Sequence, residues 1–270
     1  MDTKAQKRFS KDDVLVFFLK NRSLLLVLVF STLLTIFTNT FLTQNNLMSL
    51  ARQISANAII GVGYTLLLAS DSWVLSAGYM LYMIGIISGL LSQAGLPFPV
   101  ILILCILVGV ACGAWNATIE NKFKLPPFLV TLAMQQVFRG CLMLLSNGSP
   151  IGDLNKGILF MGQGYIGPIP TPVVLMLSFI AVGALIFSRT QFGRNVIAVG
   201  GNPEAARVSG IDVGRTRVLV NMVLGATIAV TALVSCGRVA SAQTTLGGDT
   251  VMDIIAAVVI GGTPMGGGSG

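Results

Sequence analysis

The chain has 270 residues, of which 54% are hydrophobic and 10% charged, with a net charge of +7 and no histidine. Soluble domains carry about 25% charged residues, so this composition excludes an ordinary water-soluble domain and indicates an all-α polytopic membrane protein. The missing histidine removes the commonest metal ligand and the commonest general base, and the positive charges are clustered in loops rather than spread as a nucleic-acid-binding face.

The first cluster is Lys4, Lys7, Arg8, Lys11, Lys20 and Arg22. It defines an N-terminal segment, 1–22, ahead of one membrane domain over 23–270. The apolar run that follows, 24–42, is about 19 residues long, enough to span a bilayer. No small-x-small cleavage site follows it, so it reads as a retained first span and not as a signal peptide. Further apolar runs lie at 54–70, 73–92, 98–119, 127–146, 172–188 and 218–236. An eighth, 251–262, is about 12 residues and is either a half-span or the start of a longer helix. The architecture expected is therefore seven to eight transmembrane or half-spanning helices.

Placing the basic N-terminus in the cytoplasm fixes the sides of the loops by parity. Lys122 and Lys124 then fall inside, as does the loop 189–217 with Arg189, Arg194, Arg207, Arg215 and Arg217. The outer loop 147–171 carries only Asp153 and Lys156. This asymmetry is the one the positive-inside rule requires. The turn at 70–73 either reaches the cytoplasmic face or is a break inside the membrane.

Gly85 with Gly89 and Gly109 with Gly113 form G-x-x-x-G pairs, which allow close helix approach. Cys105, Cys112, Cys141 and Cys236 sit within or at the ends of apolar runs with no CxxC pair, and read as small packing residues. Gly162-Gln163-Gly164-Tyr165-Ile166-Gly167 fits G-x-G-x-x-G, but Pro168, Pro170 and Pro172 follow where a dinucleotide fold needs a helix. It reads as a Gly/Pro-rich turn.

The segment 190–212 is a polar island in an apolar chain. Asn202 can cap a helix, Pro203 suits its first position, and Glu204 favours the positive end of the dipole. Ala205, Ala206 and Arg207 propagate it, and Gly210 suits a left-handed exit. The expected helix, Pro203 to Ser209, has about two turns and is too short to be stable alone. It therefore calls for a partner surface.

Several separate motifs here resemble the permeases of ABC importers of the ribose/xylose/galactose class. Phe192-Gly193-Arg194, Gly200-Gly201-Asn202, Glu204-Ala205-Ala206-Arg207 and Ser209-Gly210-Ile211 are similar to that family's cytoplasmic coupling loop. Leu125-Pro126-Pro127-Phe128-Leu129-Val130-Thr131-Leu132 is similar to another of its segments. Arg139-Gly140, Gly148-Ser149-Pro150-Ile151, Ser241-Ala242-Gln243 and the stretch from Asp253 to Thr263 follow in the family's order. The resemblance covers roughly 45–270.

It implies a pathway-forming subunit of the bacterial cytoplasmic (inner) membrane that is not itself an enzyme. The implied partners are a cytosolic ATPase subunit carrying the ATP and Mg, a second permease subunit, an extracytoplasmic sugar-binding protein and the bilayer, with no nucleic acid. No cofactor is expected in this chain. Asn202, Pro203, Glu204, Ala205, Ala206, Arg207 and Gly210 would make the ATPase contact.

The chain departs from the family in two places. The family's "GGIDLSVG" element stands here as Asp71-Ser72-Trp73-Val74-Leu75-Ser76-Ala77-Gly78, with the aspartate position held by Val74. Asp71 either caps a helix beginning near Trp73 or contacts substrate. The family also continues with further spans beyond the glycine-rich motif, so a C-terminally truncated permease is expected. Candidate pathway residues are Asn57, Asp71, Ser76, Asn116, Gln135 and Asn221, polar groups in or near spans. Interhelical packing is the competing explanation for each. Alternatives are a same-superfamily permease for nucleosides, autoinducer-type signals or branched-chain amino acids. An ion-coupled secondary transporter would instead use Asp71, Arg139, Asp249 or Asp253.

Overall fold

The computed structural model of the chain describes residues 22–244 and 250–268. The basic segment before Arg22, together with Asp249, lies outside the described residues. The chain divides into two units, 1–50 and 51–270, with the boundary inside one helix.

In the first unit, α1 (Arg22–Phe37) is a run of leucine, valine and phenylalanine. Among the described side chains, Ser31, Thr32 and Thr35 donate to carbonyls one turn back at 2.6, 2.7 and 2.7 Å. That is the pairing a hydrocarbon environment demands. α2 (Gln44–Ala69) starts in this unit and continues into the next.

The second unit continues with α3 (Ala77–Gln93), α4 (Phe98–Phe123), α5 (Pro127–Ser146) and a short α6 (Lys156–Gln163). A two-stranded hairpin, β1 (Tyr165–Ile166) and β2 (Ile169–Pro170), precedes α7 (Thr171–Arg189). Then come α8 (Gln191–Gly201), α9 (Pro203–Val208), α10 (Val213–Val239) and α11 (Thr250–Ile260). Among the described residues, α4, α5, α7 and α10 are long and apolar enough to cross a membrane, and α3 and α11 are shorter apolar helices.

Proline and left-handed residues set the helix ends. α4, α5 and α7 each open on a proline N-cap with a second proline in the first turn, where a missing N–H costs nothing. α4, α5 and α10 close on Lys124, Asn147 and Ala240 in the left-handed conformation. The expected runs fall on these helices within about five residues, except that α2 starts at Gln44, ten residues before the expected run 54–70. The loop 147–171 differs from expectation: it holds α6 and the hairpin. α6 is capped by Asn155, whose Oδ1 accepts from Gly157 N at 2.9 Å. Gly167, the last glycine of the G-x-G-x-x-G string, sits at φ +63 in the hairpin turn, as a Gly/Pro-rich turn requires.

α10 is the central helix. Val220, Leu224, Ile228, Ala232, Leu233 and Val234 are all buried, and it packs on α3, α4, α6 and α8. Its crossing with α4 is backbone on backbone. A Cβ on Gly109 would meet the Gly225 carbonyl, one on Gly113 would meet the Asn221 carbonyl, and one on Gly225 would meet the Gly109 carbonyl. The second G-x-x-x-G pair therefore packs as its spacing suggested. Gly225→Val is expected to cost about 1–3 kcal/mol as overpacking. The check is a lowered thermal midpoint in detergent, against no change for Gly140→Ala, a position with no neighbour within 4 Å.

Between α2 and α3 the chain leaves helical geometry at 70–76, yet Ser70, Ser72, Val74 and Ser76 are buried. Buried backbone outside a helix or sheet must find its hydrogen-bond partners within the protein. Here Tyr64 Oη donates to the Val74 carbonyl at 2.6 Å, and Thr131 Oγ1 accepts from Leu75 N at 3.2 Å. The 70–73 turn is thus a protein-buried break. α3 begins at Ala77, with Ser76 at its N-cap, so Asp71 does not cap it; Asp71 instead takes φ +53 in the turn that ends α2.

Candidate functional site

The polar island folds as a chain of capped helices. Thr190 Oγ1 accepts from Gly193 N at 3.1 Å and starts α8. α8 buries Gly193, Val196, Val199 and Gly200, positions that share one helix face. This helix was not expected from the sequence, because three glycines in eleven residues argue against it. Burial of its apolar face outweighs that propensity. Asn202 then turns extended, and its Oδ1 accepts from Glu204 N and Ala205 N, both at 3.0 Å. Pro203 occupies the first turn of α9, as expected. α9 ends at Val208, one residue before the expected end, and Gly210 leaves it at φ +83. Asp212 Oδ1 accepts from Arg215 N at 2.9 Å and starts α10.

α9 shows one small anchor and a large open face. Ala206 is buried and clusters with Val199 and Val213. Glu204 and Arg207 pair at 3.0 Å with side chains 77% and 64% exposed, and Val208 is 90% exposed. A groove beside it is lined by Glu120, Asn121, Lys124, Arg207, Gly214 and Arg217. The C-terminal end of α4 and the 189–217 segment therefore meet at one end of the molecule. Asn121 Nδ2 donates to the Gly214 carbonyl at 3.0 Å, and Arg217 Nη1 reaches Glu120 Oε1 at 3.3 Å.

α8 also touches the buried break. A Cβ on Gly200 would meet the carbonyl oxygen of Ala69, the last residue of α2, and that same carbonyl accepts from Gly268 N at 3.1 Å. The glycine-rich stretch after α11 thus closes against both α8 and the Asp71 turn.

At the other end, Ile151 and Ala242 form a backbone bridge, and Gln163 Nε2 donates to the Arg238 carbonyl at 3.2 Å. Arg52 Nη2 donates to the Gln163 carbonyl at 3.2 Å, and its guanidinium lies 4.9 Å from the Tyr165 ring. Toward this end a cavity of about 150 Å³ opens among α2, α3, α10 and α11. Its polar lining includes Asn57, Tyr82, Ser235, Arg238, Gln243 and Asp253. A charge in a membrane helix costs about 2.5–3.5 kcal/mol at the centre and less toward an end. Arg238 and Asp253 line the cavity without pairing with each other within ion-pair distance. Arg238 Nε is buried with no hydrogen-bond partner.

The six pathway candidates do not form one constellation. Asn57 lines the cavity. Ser76 and Asn116 pair with each other, Asn116 Nδ2 donating to Ser76 Oγ at 3.0 Å in the interior, while Asn116 Oδ1 is left without a partner. Asn221 Nδ2 donates to the Arg217 carbonyl of its own helix at 3.0 Å. Asp71 sits half-buried in the break, and Gln135 is half-buried on α5. Arg238, Tyr82 and Ser235 were missed among the cavity residues. The readable signal was a pair of opposite charges at adjoining span ends, Arg238 closing one apolar run and Asp253 opening the next.

Together these elements make a multi-pass, mainly helical membrane protein with a capped, exposed helix at one end and a polar cavity toward the other. Residues 46–269 match the family described as "Branched-chain amino acid transport system / permease component". The chain belongs to this family of permeases. It is 34% identical to the ribose import permease protein of Haemophilus influenzae over 258 residues, covering 94% of this chain and 80% of that one. It is 34% identical to the ribose import permease protein of Bacillus subtilis over 240 residues, covering 88% and 74%. With the xylose transport system permease protein of Escherichia coli it shares 28% identity over 292 residues, covering 85% and 74%. No solved structure gives a significant match.

Proposed function

We propose that this chain is the membrane subunit of an ATP-driven importer for monosaccharides such as ribose. It would lie in the bacterial cytoplasmic membrane with its N-terminus inside. A cytosolic ATPase, holding the ATP and Mg, docks on α9; a second permease subunit completes the pathway; and an extracytoplasmic binding protein delivers the sugar. The observation that carries this reading is the connection made by α10. Its N-terminus is capped by Asp212 at the end of the coupling segment, and its far end supplies Ser235 and Arg238 to the cavity. A helix of 27 residues is about 40 Å long, so one rigid element joins the place where a partner can push to the place where a solute can sit.

Similarity to the ribose and xylose permeases supports a sugar substrate. The family's description names branched-chain amino acids, which keeps an amino-acid substrate as the second reading. Proteoliposomes holding the full chain, its ATPase and ATP, with the binding protein outside, separate the two. ATP-dependent uptake of D-ribose or D-xylose is expected. Uptake of L-leucine alone would overturn the sugar reading, and uptake that persists without the ATPase would make the protein an ion-coupled transporter.

A further inference from the structure

We propose that the cavity beside Arg238 and Asp253 is a pentose-holding subsite, in which these two side chains grip neighbouring hydroxyl groups. The proposal rests on the sugar-importer reading and assigns the residues that would meet the sugar inside the membrane.

Size is the first argument. A cavity of about 150 Å³ is well above the roughly 10–15 Å³ that a single water needs, which leaves room for a small polar solute. Chemistry is the second. Each sugar hydroxyl both donates and accepts, so a subsite needs both kinds of partner. Asp253 is an acceptor-only carboxylate that can receive two vicinal hydroxyls; Arg238 is a donor-only fork. Its Nε is buried and lacks a partner, a condition that a ligand oxygen relieves. Tyr82 hydrogen-bonds Thr250 and supplies an aromatic wall.

The same ion-forming pair also suits a zwitterionic amino acid, with Arg238 on the carboxylate and Asp253 on the ammonium. The remaining lining decides between the two. Asn57, Ser235 and the Oε1 of Gln243, whose Nε2 already donates to Ser241 Oγ at 2.6 Å, add neutral polar groups, more than the two charged ends of an apolar amino acid use. A polyol uses them all.

The test is ligand-induced thermal stabilisation of the purified full chain in detergent, since a ligand that binds only the folded state raises the midpoint with concentration. The probes are D-ribose, D-xylose and L-leucine, with sucrose as an osmolyte control. A saturable rise is expected with a pentose and not with sucrose. Arg238→Gln and Asp253→Asn are expected to abolish that rise while keeping a cooperative transition of their own, and Gly140→Ala, at a position with no neighbour within 4 Å, is expected to keep it. If Asp253→Asn does not fold, Asn57→Ala, which removes only a half-buried amide, must weaken the pentose response at least several-fold. A pentose response unchanged in these variants overturns the subsite. So does the absence of any saturable sugar response while ATP-dependent pentose uptake holds; in both cases the importer reading survives. A response to L-leucine that the variants abolish overturns the subsite and the sugar reading together.

Discussion

Replacing Glu204 and Arg207 together by alanine is expected to cut co-purification of the cytosolic ATPase by about tenfold or more, a loss of about 1.4 kcal/mol. The permease's own thermal midpoint should stay where it is. Both halves of this expectation come from exposure. The pair is formed at 3.0 Å but lies in solvent, where such an ion pair contributes about 0–1 kcal/mol. Alanine is the best helix former, so α9 loses little. Its cap on Asn202 and its anchor at Ala206 are untouched. What the substitution does remove is an arginine and its carboxylate partner from the open face of α9, beside the exposed Val208. Arginine is among the residues that most often dominate binding at interfaces. Unchanged co-purification would overturn the proposed docking of an ATPase on α9.

Glu120→Ala is expected to be the most damaging single change in the same region, costing about 3 kcal/mol. Glu120 on α4 and Arg217 on α10 form a tertiary ion pair with side chains only 6% and 20% exposed. Arg217 Nε already lacks a partner. Removing the carboxylate leaves a guanidinium that is largely out of solvent without its ion-pair partner. A fall in the thermal midpoint of the purified protein checks this. The double variant Glu120→Met with Arg217→Met separates charge burial from lost packing: it should be more stable than Glu120→Ala, because removing both charges also removes their desolvation cost. A double variant as unstable as the single one would mean that geometry, not charge, is what the pair supplies.

These two pairs also show what the sequence discloses. The spans were legible because runs such as 98–119 and 127–146 have no other use in water, and proline pairs mark their starts. α9 was legible because Asn202, Pro203 and Glu204 are local signals acting within one turn. α8 was not, since Gly193, Gly200 and Gly201 argue against a helix locally while its stability comes from burial against distant residues. The cavity was harder still. Asn57, Tyr82, Arg238 and Asp253 come from four helices, and only the fold brings them together. Choosing polar residues inside spans found mainly groups that satisfy one another or their own helix, as with Asn116 and Ser76 or Asn221. In a medium without water, most polar side chains are used in that way.

The contact between Gly200 and Ala69 has a mechanical consequence. A side chain between two helices has rotamers, and rotamers absorb displacement as a spring does. Here the α8 backbone lies directly on the carbonyl that ends α2, and Gly268 N is fastened to that same oxygen. With no compliant layer between them, the junction behaves as a strut. A shift of α8 would therefore bear directly on the buried break at 70–76, where the chain is not held by helical hydrogen bonds.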